Sequence, residues 1–102
     1  MIKHVNTRAE YDEAVKSGKV LVDFWATWCG PCMMMGEKIE KELLPSMGDL
    51  TVVKVDVDQA PELAAEFGIM SIPAMCCYKN GAKTAAFVGV TDVSEIRGAL
   101  ED

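Results

Sequence analysis

Apolar residues occur along the chain in short runs, and the spacing within each run predicts its structure. Residues 20–26 are apolar on both alternating faces, which is typical of a central strand that is covered on both sides. Residues 50–57 are rich in β-branched side chains and predict another strand. Shorter runs at 2–5, 74–79 and 82–88 complete a set of five predicted strands.

Helix and turn signals separate these runs. Thr7 and Glu10 fit a capping box, in which each side chain accepts a hydrogen bond from the other residue's backbone N–H. Asn80-Gly81 is the strongest short signal for a β-hairpin. Thr91 or Asp92 is expected to cap the last helix.

The resulting order is βαβαβαββα, with helices at about 7–17, 32–44, 61–67 and 92–100. Alternating strands and helices predict an α/β fold whose sheet has helices on both faces. The terminal hairpin makes that sheet mixed. A length of 102 residues fits one domain, residues 1–102.

The composition narrows the possible partners. Sixteen acidic residues against ten basic ones give a net charge of −6. A surface of this charge repels phosphates, so we expect neither nucleic acid nor a membrane as a partner.

The first residues lack the apolar segment of a signal peptide, which favours a cytoplasmic protein. In a reducing cytosol, a close cysteine pair is more often catalytic or metal-binding than structural.

Cys29 and Cys32 lie between the predicted central strand and the second helix. Pro31 suits the first turn of a helix, so Cys29 is expected at the helix N-terminus, where the dipole favours a thiolate by roughly 0.3–2 kcal/mol. A thiolate is the nucleophile of disulfide exchange, and Cys32 is close enough to release the mixed disulfide. Gly30 is expected to permit the tight turn between them, and Pro31 to stiffen it. The alternatives are a permanent disulfide or half of a metal site, but the βαβ context favours a redox pair.

Residues 22–32 (Val-Asp-Phe-Trp-Ala-Thr-Trp-Cys-Gly-Pro-Cys), together with Ile72-Pro73 and Lys79-Asn80-Gly81, resemble the thioredoxin family. The similarity extends over nearly the whole chain, in order and in spacing. It implies a thioredoxin fold, with a central five-stranded mixed sheet flanked by four helices. It also implies that Cys29 is an exposed attacking thiol and Cys32 a buried resolving thiol.

Asp23 lies in the middle of the apolar central strand, where burial is expected to raise its pKa. The alternative is an acid on a partly wet strand face. By resemblance, Asp23 is the buried acid that accepts and returns the proton of Cys32. Lys54, on the next strand, matches the lysine that neighbours this acid in the family, although it could equally be an ordinary strand lysine.

The resemblance also implies a docking surface for the substrate chain. Pro73 is expected in the cis form, in a loop that faces the cysteine pair and holds an extended substrate through its backbone. Trp28 is expected to form a partly exposed wall beside Cys29. The residues implied to contact the substrate are Trp28, Met70, Ser71, Ile72, Pro73 and Gly89.

This chain departs from the family pattern after Cys32. Met33 replaces a residue that is commonly basic or polar. Glu37 replaces a proline that usually bends the helix, so we expect a straighter helix in this part. The helix is expected to end or bend at Pro45. Residues 33–35 are all methionine and must point to different sides of a helix, so one or two of them are buried. Met33 and Met70, with Trp28, Ile72 and Met75 nearby in sequence, predict an unusually apolar docking rim.

Cys76 and Cys77 are adjacent in a predicted strand, so their side chains point to opposite faces of the sheet. We expect both to pack as small hydrophobic residues. The alternative is a regulatory thiol, or a metal ligand combined with Cys29 and Cys32, although the spacing does not match a zinc site.

We therefore predict a thiol–disulfide oxidoreductase that reduces protein disulfides through Cys29 and Cys32, as a monomer without a cofactor or metal. By resemblance, its electrons come from a thioredoxin reductase or a comparable donor, and its substrates are proteins with disulfide bonds. Two alternatives remain: a metal or iron–sulfur module that uses the same cysteines, and a thioredoxin-like binding subunit without redox turnover.

Overall fold

A computed structural model describes residues 1–101 and contains five strands and four α-helices in the predicted order. The α/β architecture expected from the alternating pattern is therefore confirmed. The strands are Ile2–His4 (β1), Lys19–Trp25 (β2), Leu50–Asp56 (β3), Ala74–Lys79 (β4) and Ala82–Val88 (β5). The helices are Arg8–Val15 (α1), Gly30–Lys38 (α2), Pro61–Glu66 (α3) and Val93–Leu100 (α4).

The five strands form one mixed sheet in the order β1-β3-β2-β4-β5. β1, β3 and β2 run parallel, whereas β4 is antiparallel to β2 and β5 is antiparallel to β4. β2 is therefore central, as its two-sided apolar pattern predicted. Its carboxyl end lies beside that of β3, because the two strands are parallel. The loop that follows β2 thus begins at a strand that is hydrogen-bonded to a neighbour on both sides.

The two faces of the sheet carry separate cores. α1 and α3 pack on one face, where Tyr11 and Tyr78 share a 2.6 Å hydrogen bond between their hydroxyl groups. α2 and α4 pack on the other face, which includes Met35 and Ile96. In the described part of the chain, no helix is long and apolar enough to cross a membrane.

The predicted turn and cap signals are found in the structure. Thr7 and Glu10 form the complete capping box at the start of α1. Asn80 and Gly81 adopt φ values of 51° and 86°, the left-handed conformation that a tight hairpin turn requires. Asp92, rather than Thr91, caps α4, where its side chain accepts the N–H of Ser94 at 3.4 Å.

The second helix differs from the prediction at both ends. It begins at Gly30, two residues early, and its α-helical part ends at Lys38. A π-helical turn follows at Ile39–Leu43, closed by a bond from the Leu44 N–H to the Ile39 carbonyl, and a 3₁₀ turn contains Pro45. Pro45 cannot donate to the carbonyl four residues earlier, so the hydrogen-bond pattern changes before it. The α-helical part therefore ends before Pro45, near the point where the sequence predicted that the helix ends or bends.

Candidate functional site

The cysteine pair lies where β2 meets α2. Cys29 is the N-cap residue of α2, and its Sγ accepts the backbone N–H of Cys32 at 3.2 Å. A disulfide joins Cys29 to Cys32, with their Cα atoms 5.2 Å apart. Pro31 occupies the first turn, where its missing N–H leaves no helical bond unmade. One N–H of the helix end, that of Cys32, therefore points at the sulfur of Cys29.

Gly30 has a different role from the one predicted. It is the first residue of α2, its φ is not in the left-handed region, and a Cβ added there would meet no atom within 4 Å. The turn between the cysteines therefore does not require glycine. Gly30 is exposed, and the space around it would accept a side chain.

Both cysteines are almost fully buried, and Cys29 is slightly more exposed to solvent than Cys32. Cys29 is 6% exposed and Cys32 is 2% exposed, so the attacking thiol is less open than the resemblance implied. Trp28 precedes Cys29 and lines one groove together with Ile72, and the Cys29 Sγ is 3.9 Å from the Ile72 carbonyl oxygen. The loop that contains Ile72 therefore borders the sulfur of Cys29.

Trp28 is largely exposed, as expected, and is held by a residue that the sequence-based prediction missed. Its Nε1–H donates to the Asp58 carboxylate at 2.7 Å. Asp58 follows the end of β3, which runs parallel to β2. A signal for this contact was present, because the carboxyl ends of adjacent parallel strands meet at one edge of a sheet.

The Ile72–Pro73 peptide is cis, as the resemblance implied. Gly89, with a φ of 86°, donates its N–H to the Pro73 carbonyl at 2.8 Å, which joins the segment after β5 to this loop. Ser71 is exposed in the same loop. A groove of about 170 Å³ lies beside it, lined by Trp28, Val57, Ile69, Met70, Ser71 and Ile72. Its volume is below the range of about 300–1,000 Å³ typical of cofactor pockets and suits single side chains.

Asp23 and Lys54 lie on the face of the sheet that α2 covers. Asp23 is 1% exposed, and neither of its carboxylate oxygens has a hydrogen-bond partner among residues 1–101. Burial raises its pKa to about 6, and the positive charge of Lys54, its register partner on β3, partly opposes that rise. The alternative of a partly wet acid is therefore wrong. The Lys54 Nζ lies 4.6 Å from the centre of the Trp25 ring, so it stacks on an aromatic ring next to the acid.

The three methionines that follow Cys32 point to different sides of α2. Met33 and Met34 are exposed, whereas Met35 is fully buried. Met70 is 93% exposed and shares the groove with Trp28 and Ile72. Met33 lines a different pocket, on the Cys32 side.

Met33 and Met70 therefore line two separate surface pockets, and the pocket of Met33 is also lined by Glu37, Glu40, Lys41 and Lys54. Met75 belongs to neither, because it is fully buried in the core of the α2 face. The prediction that Met75 contributes to the rim is therefore wrong.

Cys76 and Cys77 lie outside the site. Both are buried, and they belong to the two opposite cores, as their adjacent strand positions predicted. Burial raises the pKa of both thiols, that of Cys77 to about 11. Within residues 1–101, no group of three or more His, Cys, Asp or Glu side chains is placed to hold a metal ion.

Comparisons with known proteins agree with this geometry. The family model described as "Thioredoxin" matches residues 2–102. A thioredoxin of Staphylococcus aureus is 43% identical over 95 residues, covering 93% of this chain and 91% of the relative. One from Alicyclobacillus acidocaldarius is 39% identical over 97 residues, covering 94% and 92%.

The solved structures include oxidised mitochondrial thioredoxin 3 from Saccharomyces cerevisiae. It superimposes with a TM-score of 0.86 at 30% identity, covering 97% of this chain and 92% of that one. The likeness extends over both sequence and fold and includes the C-x-x-C pair, whose chemistry is thiol–disulfide exchange. This chain therefore belongs to the thioredoxin family.

Proposed function

We propose that Cys29 is the nucleophile and Cys32 the resolving thiol of this thiol–disulfide oxidoreductase. The observation that carries the assignment is the asymmetry of the pair. The sulfur of Cys29 lies at the start of α2 and beside the Ile72 carbonyl, whereas Cys32 lies deeper, within the first turn. A helix N-terminus stabilises a thiolate at Cys29, and a thiolate is the attacking species.

The first half of the reaction consumes the substrate disulfide. The Cys29 thiolate attacks one sulfur of that bond, a mixed disulfide forms, and the other substrate sulfur leaves as a thiolate. In the second half, the Cys32 thiolate attacks the Cys29 sulfur. The mixed disulfide breaks, the second substrate thiolate leaves, and the Cys29–Cys32 bond forms. Two electrons have then passed from the protein to its substrate.

Asp23 is proposed to take the proton that Cys32 must lose before its attack. Its raised pKa, about 6, lets the carboxylate accept a proton near neutral pH and return it when the pair is reduced again. Lys54 limits that rise and so tunes the acid. Asp23→Asn is therefore expected to slow release of the mixed disulfide, with less effect on its formation.

The substrate chain is proposed to dock along the groove beside the cis-proline. Trp28 and Met70 line this groove with exposed apolar side chains, and Ser71 and Ile72 line it as well. Pro73 and Gly89, joined to each other by a backbone hydrogen bond, are proposed to hold this loop in place for the substrate chain. Met33 is proposed to extend the apolar surface near Cys32. Gly30 and Pro31 are exposed between the two cysteines and are proposed to lie against the bound partner.

The partners proposed are a thioredoxin reductase or a comparable electron donor and proteins that carry disulfide bonds. A monomer of one domain, residues 1–102, is enough for the chemistry, which uses only the two thiols. The net charge of −6 argues against phosphate-rich partners such as nucleic acid and anionic membranes. A reducing compartment such as the cytoplasm is the proposed location, because it would keep the pair available as a dithiol.

Trapping of the mixed disulfide tests the assignment. Cys32→Ser, mixed with a disulfide-bonded protein such as insulin, should accumulate a covalent adduct at Cys29 that a reductant dissolves. Cys29→Ser should form none. Cys76→Ala is the matched control and should turn over as the parent does, because Cys76 is buried in the core beneath α1 and α3. An adduct at Cys32 in the Cys29→Ser variant would reverse the roles.

A redox titration against glutathione and dithiothreitol then separates a reductant from an oxidant. A pair that stays largely oxidised in excess glutathione and is reduced by dithiothreitol has a low reduction potential, which would support a reductase. A pair that glutathione keeps fully reduced has a high reduction potential, which would indicate an oxidant and contradict the proposal.

A further inference from the structure

Met35 makes a polar contact that its place in the core does not require. Its side chain is fully buried, and its Sδ accepts the backbone N–H of Thr91 at 3.3 Å. Thr91 is itself buried, at the start of α4. A buried amide needs a partner, and here a thioether sulfur, which is a weak acceptor, provides one. The bond joins α2 to a segment 56 residues away in sequence.

Two further hydrogen bonds continue this link to the docking groove. The Thr91 hydroxyl donates to the Gly89 carbonyl at 3.0 Å. The Gly89 N–H donates to the Pro73 carbonyl at 2.8 Å. Residues 89–91, which we call the 89–91 loop, are therefore held at one end by Met35 and at the other by the cis-proline loop.

These hydrogen bonds connect the two segments that flank the cysteine pair, α2 and the cis-proline loop. Met35 lies three residues after Cys32, one turn along α2. At the other end, Pro73 follows Ile72, whose carbonyl oxygen is 3.9 Å from the sulfur of Cys29. The helix that carries the resolving thiol and the loop that faces the attacking thiol are thus joined through the 89–91 loop as well as through direct packing.

A packing role alone would not require methionine at position 35. Leucine has a similar volume and is usually tolerated in place of buried methionine. It has no acceptor, however, and would leave the Thr91 N–H buried without a partner, which costs more than the loss of an ordinary exposed hydrogen bond. The sulfur is therefore the feature of Met35 that leucine could not replace, because only the sulfur accepts the Thr91 N–H.

We propose that Met35 is a positioning residue for substrate docking. Its sulfur holds the 89–91 loop, whose Gly89 N–H is bonded to the Pro73 carbonyl, and so fixes the position of the cis-proline loop that lines the groove beside Cys29. Met35 does not touch the substrate and acts through Thr91 and Gly89. This inference rests on the proposed docking of substrate at the cis-proline groove.

The test compares Met35→Leu with Met47→Leu. Met47 is also buried in the core of the α2 face, but its sulfur accepts no hydrogen bond from the described residues, so its replacement controls for the loss of a core methionine. Each variant is assayed with a protein disulfide, which needs the groove, and with a small aromatic disulfide, which does not. We expect Met35→Leu to raise KM for the protein roughly threefold to tenfold, with kcat and the small-disulfide rate within about twofold.

Amide hydrogen exchange provides a direct readout of the bond itself. In Met35→Leu, the Thr91 amide should exchange roughly tenfold faster than in the parent, whereas Met47→Leu should leave it unchanged. Thr91→Val removes the next bond in the series and should raise KM for the protein substrate in the same way. Unchanged Thr91 exchange in Met35→Leu, or an equal loss with both substrates, would overturn the inference.

Met70→Glu distinguishes a failure of this inference from a failure of the docking proposal. Met70 lines the groove directly, so a buried substrate contact there should be lost on introduction of a charge. If Met70→Glu raises KM for the protein and Met35→Leu does not, the positioning role is wrong and the docking site stands. If Met70→Glu leaves KM unchanged, substrate docks elsewhere and both proposals fail.

Discussion

Replacement of Asp23 by asparagine should stabilise the protein at pH values above about 6. Asp23 is 1% exposed, and its two oxygens lack hydrogen-bond partners within residues 1–101. Its pKa is about 6 in the folded chain, against an ordinary 3.8. That difference corresponds to roughly 3 kcal/mol of stability lost when the buried carboxyl ionises. An asparagine at this position would keep the shape of the side chain without the charge.

The pH range of the effect follows from the two pKa values. Below pH 3.8 both the folded and the unfolded chain hold the proton, and the carboxyl carries no ionisation penalty. As the pH rises through about 6, the unfolded chain has already released the proton and the folded chain must follow at a cost. The folded pKa is the higher one, so this contribution to stability is present at low pH and lost with rising pH.

Urea unfolding of the oxidised proteins between pH 4 and pH 8 measures this difference. The variant should gain roughly 2–3 kcal/mol relative to the parent over that range. Asp49→Asn, on the surface, is the control for removal of one negative charge from a chain of net charge −6. Lys54→Met should enlarge the effect, because Lys54 lowers the pKa of Asp23. A difference between Asp23→Asn and the parent that stays constant from pH 4 to pH 8 would refute the reasoning.

Three further predictions concern the rim, the free thiols and the first helix. Met33→Lys should weaken association with protein partners more than it alters reaction with a small disulfide, with Met34→Lys as the matched charge control; equal effects on both reactions would exclude a docking role. The oxidised native protein should show no fast thiol in a colorimetric titration and two after denaturation, because Cys76 and Cys77 are buried with raised pKa values. A fast native thiol would contradict that burial. Thr7→Ala should lower the free energy of unfolding by about 1 kcal/mol through loss of the capping box, and an unchanged urea midpoint would exclude the cap as a stabilising feature.

The order of elements was predictable because each signal is local. The capping box at Thr7, the turn at 80–81 and the apolar run of β2 all act within a few residues, and each is present in the structure. The redox pair was predictable for the same reason, since its chemistry depends on the end of β2 and the start of α2. The opposite burial of Cys76 and Cys77 follows from the two-residue period of a strand.

Features that depend on contacts between distant segments were not predictable in this way. The π-helical turn at Ile39–Leu43 depends on how Ile39 and Leu43 fit the core before Pro45, and no local pattern encodes that fit. The bond from Trp28 to Asp58 joins residues 30 apart, although the parallel order of β2 and β3 would have indicated it. The sheet order itself, in which β1 pairs with β3, required the structure.

The three methionines after Cys32 show how one residue type can serve different purposes within a single helical turn. Each step along a helix rotates the side chain by about 100°, so Met33 and Met34 face solvent and Met35 faces the core. An exposed thioether contributes apolar, flexible surface, whereas the buried one also accepts a hydrogen bond from Thr91. A change of the whole run would alter partner contact and loop position together. Single substitutions at Met33 and Met35 separate the two, because the first should affect the surface near Cys32 and the second the position of the 89–91 loop and the cis-proline loop.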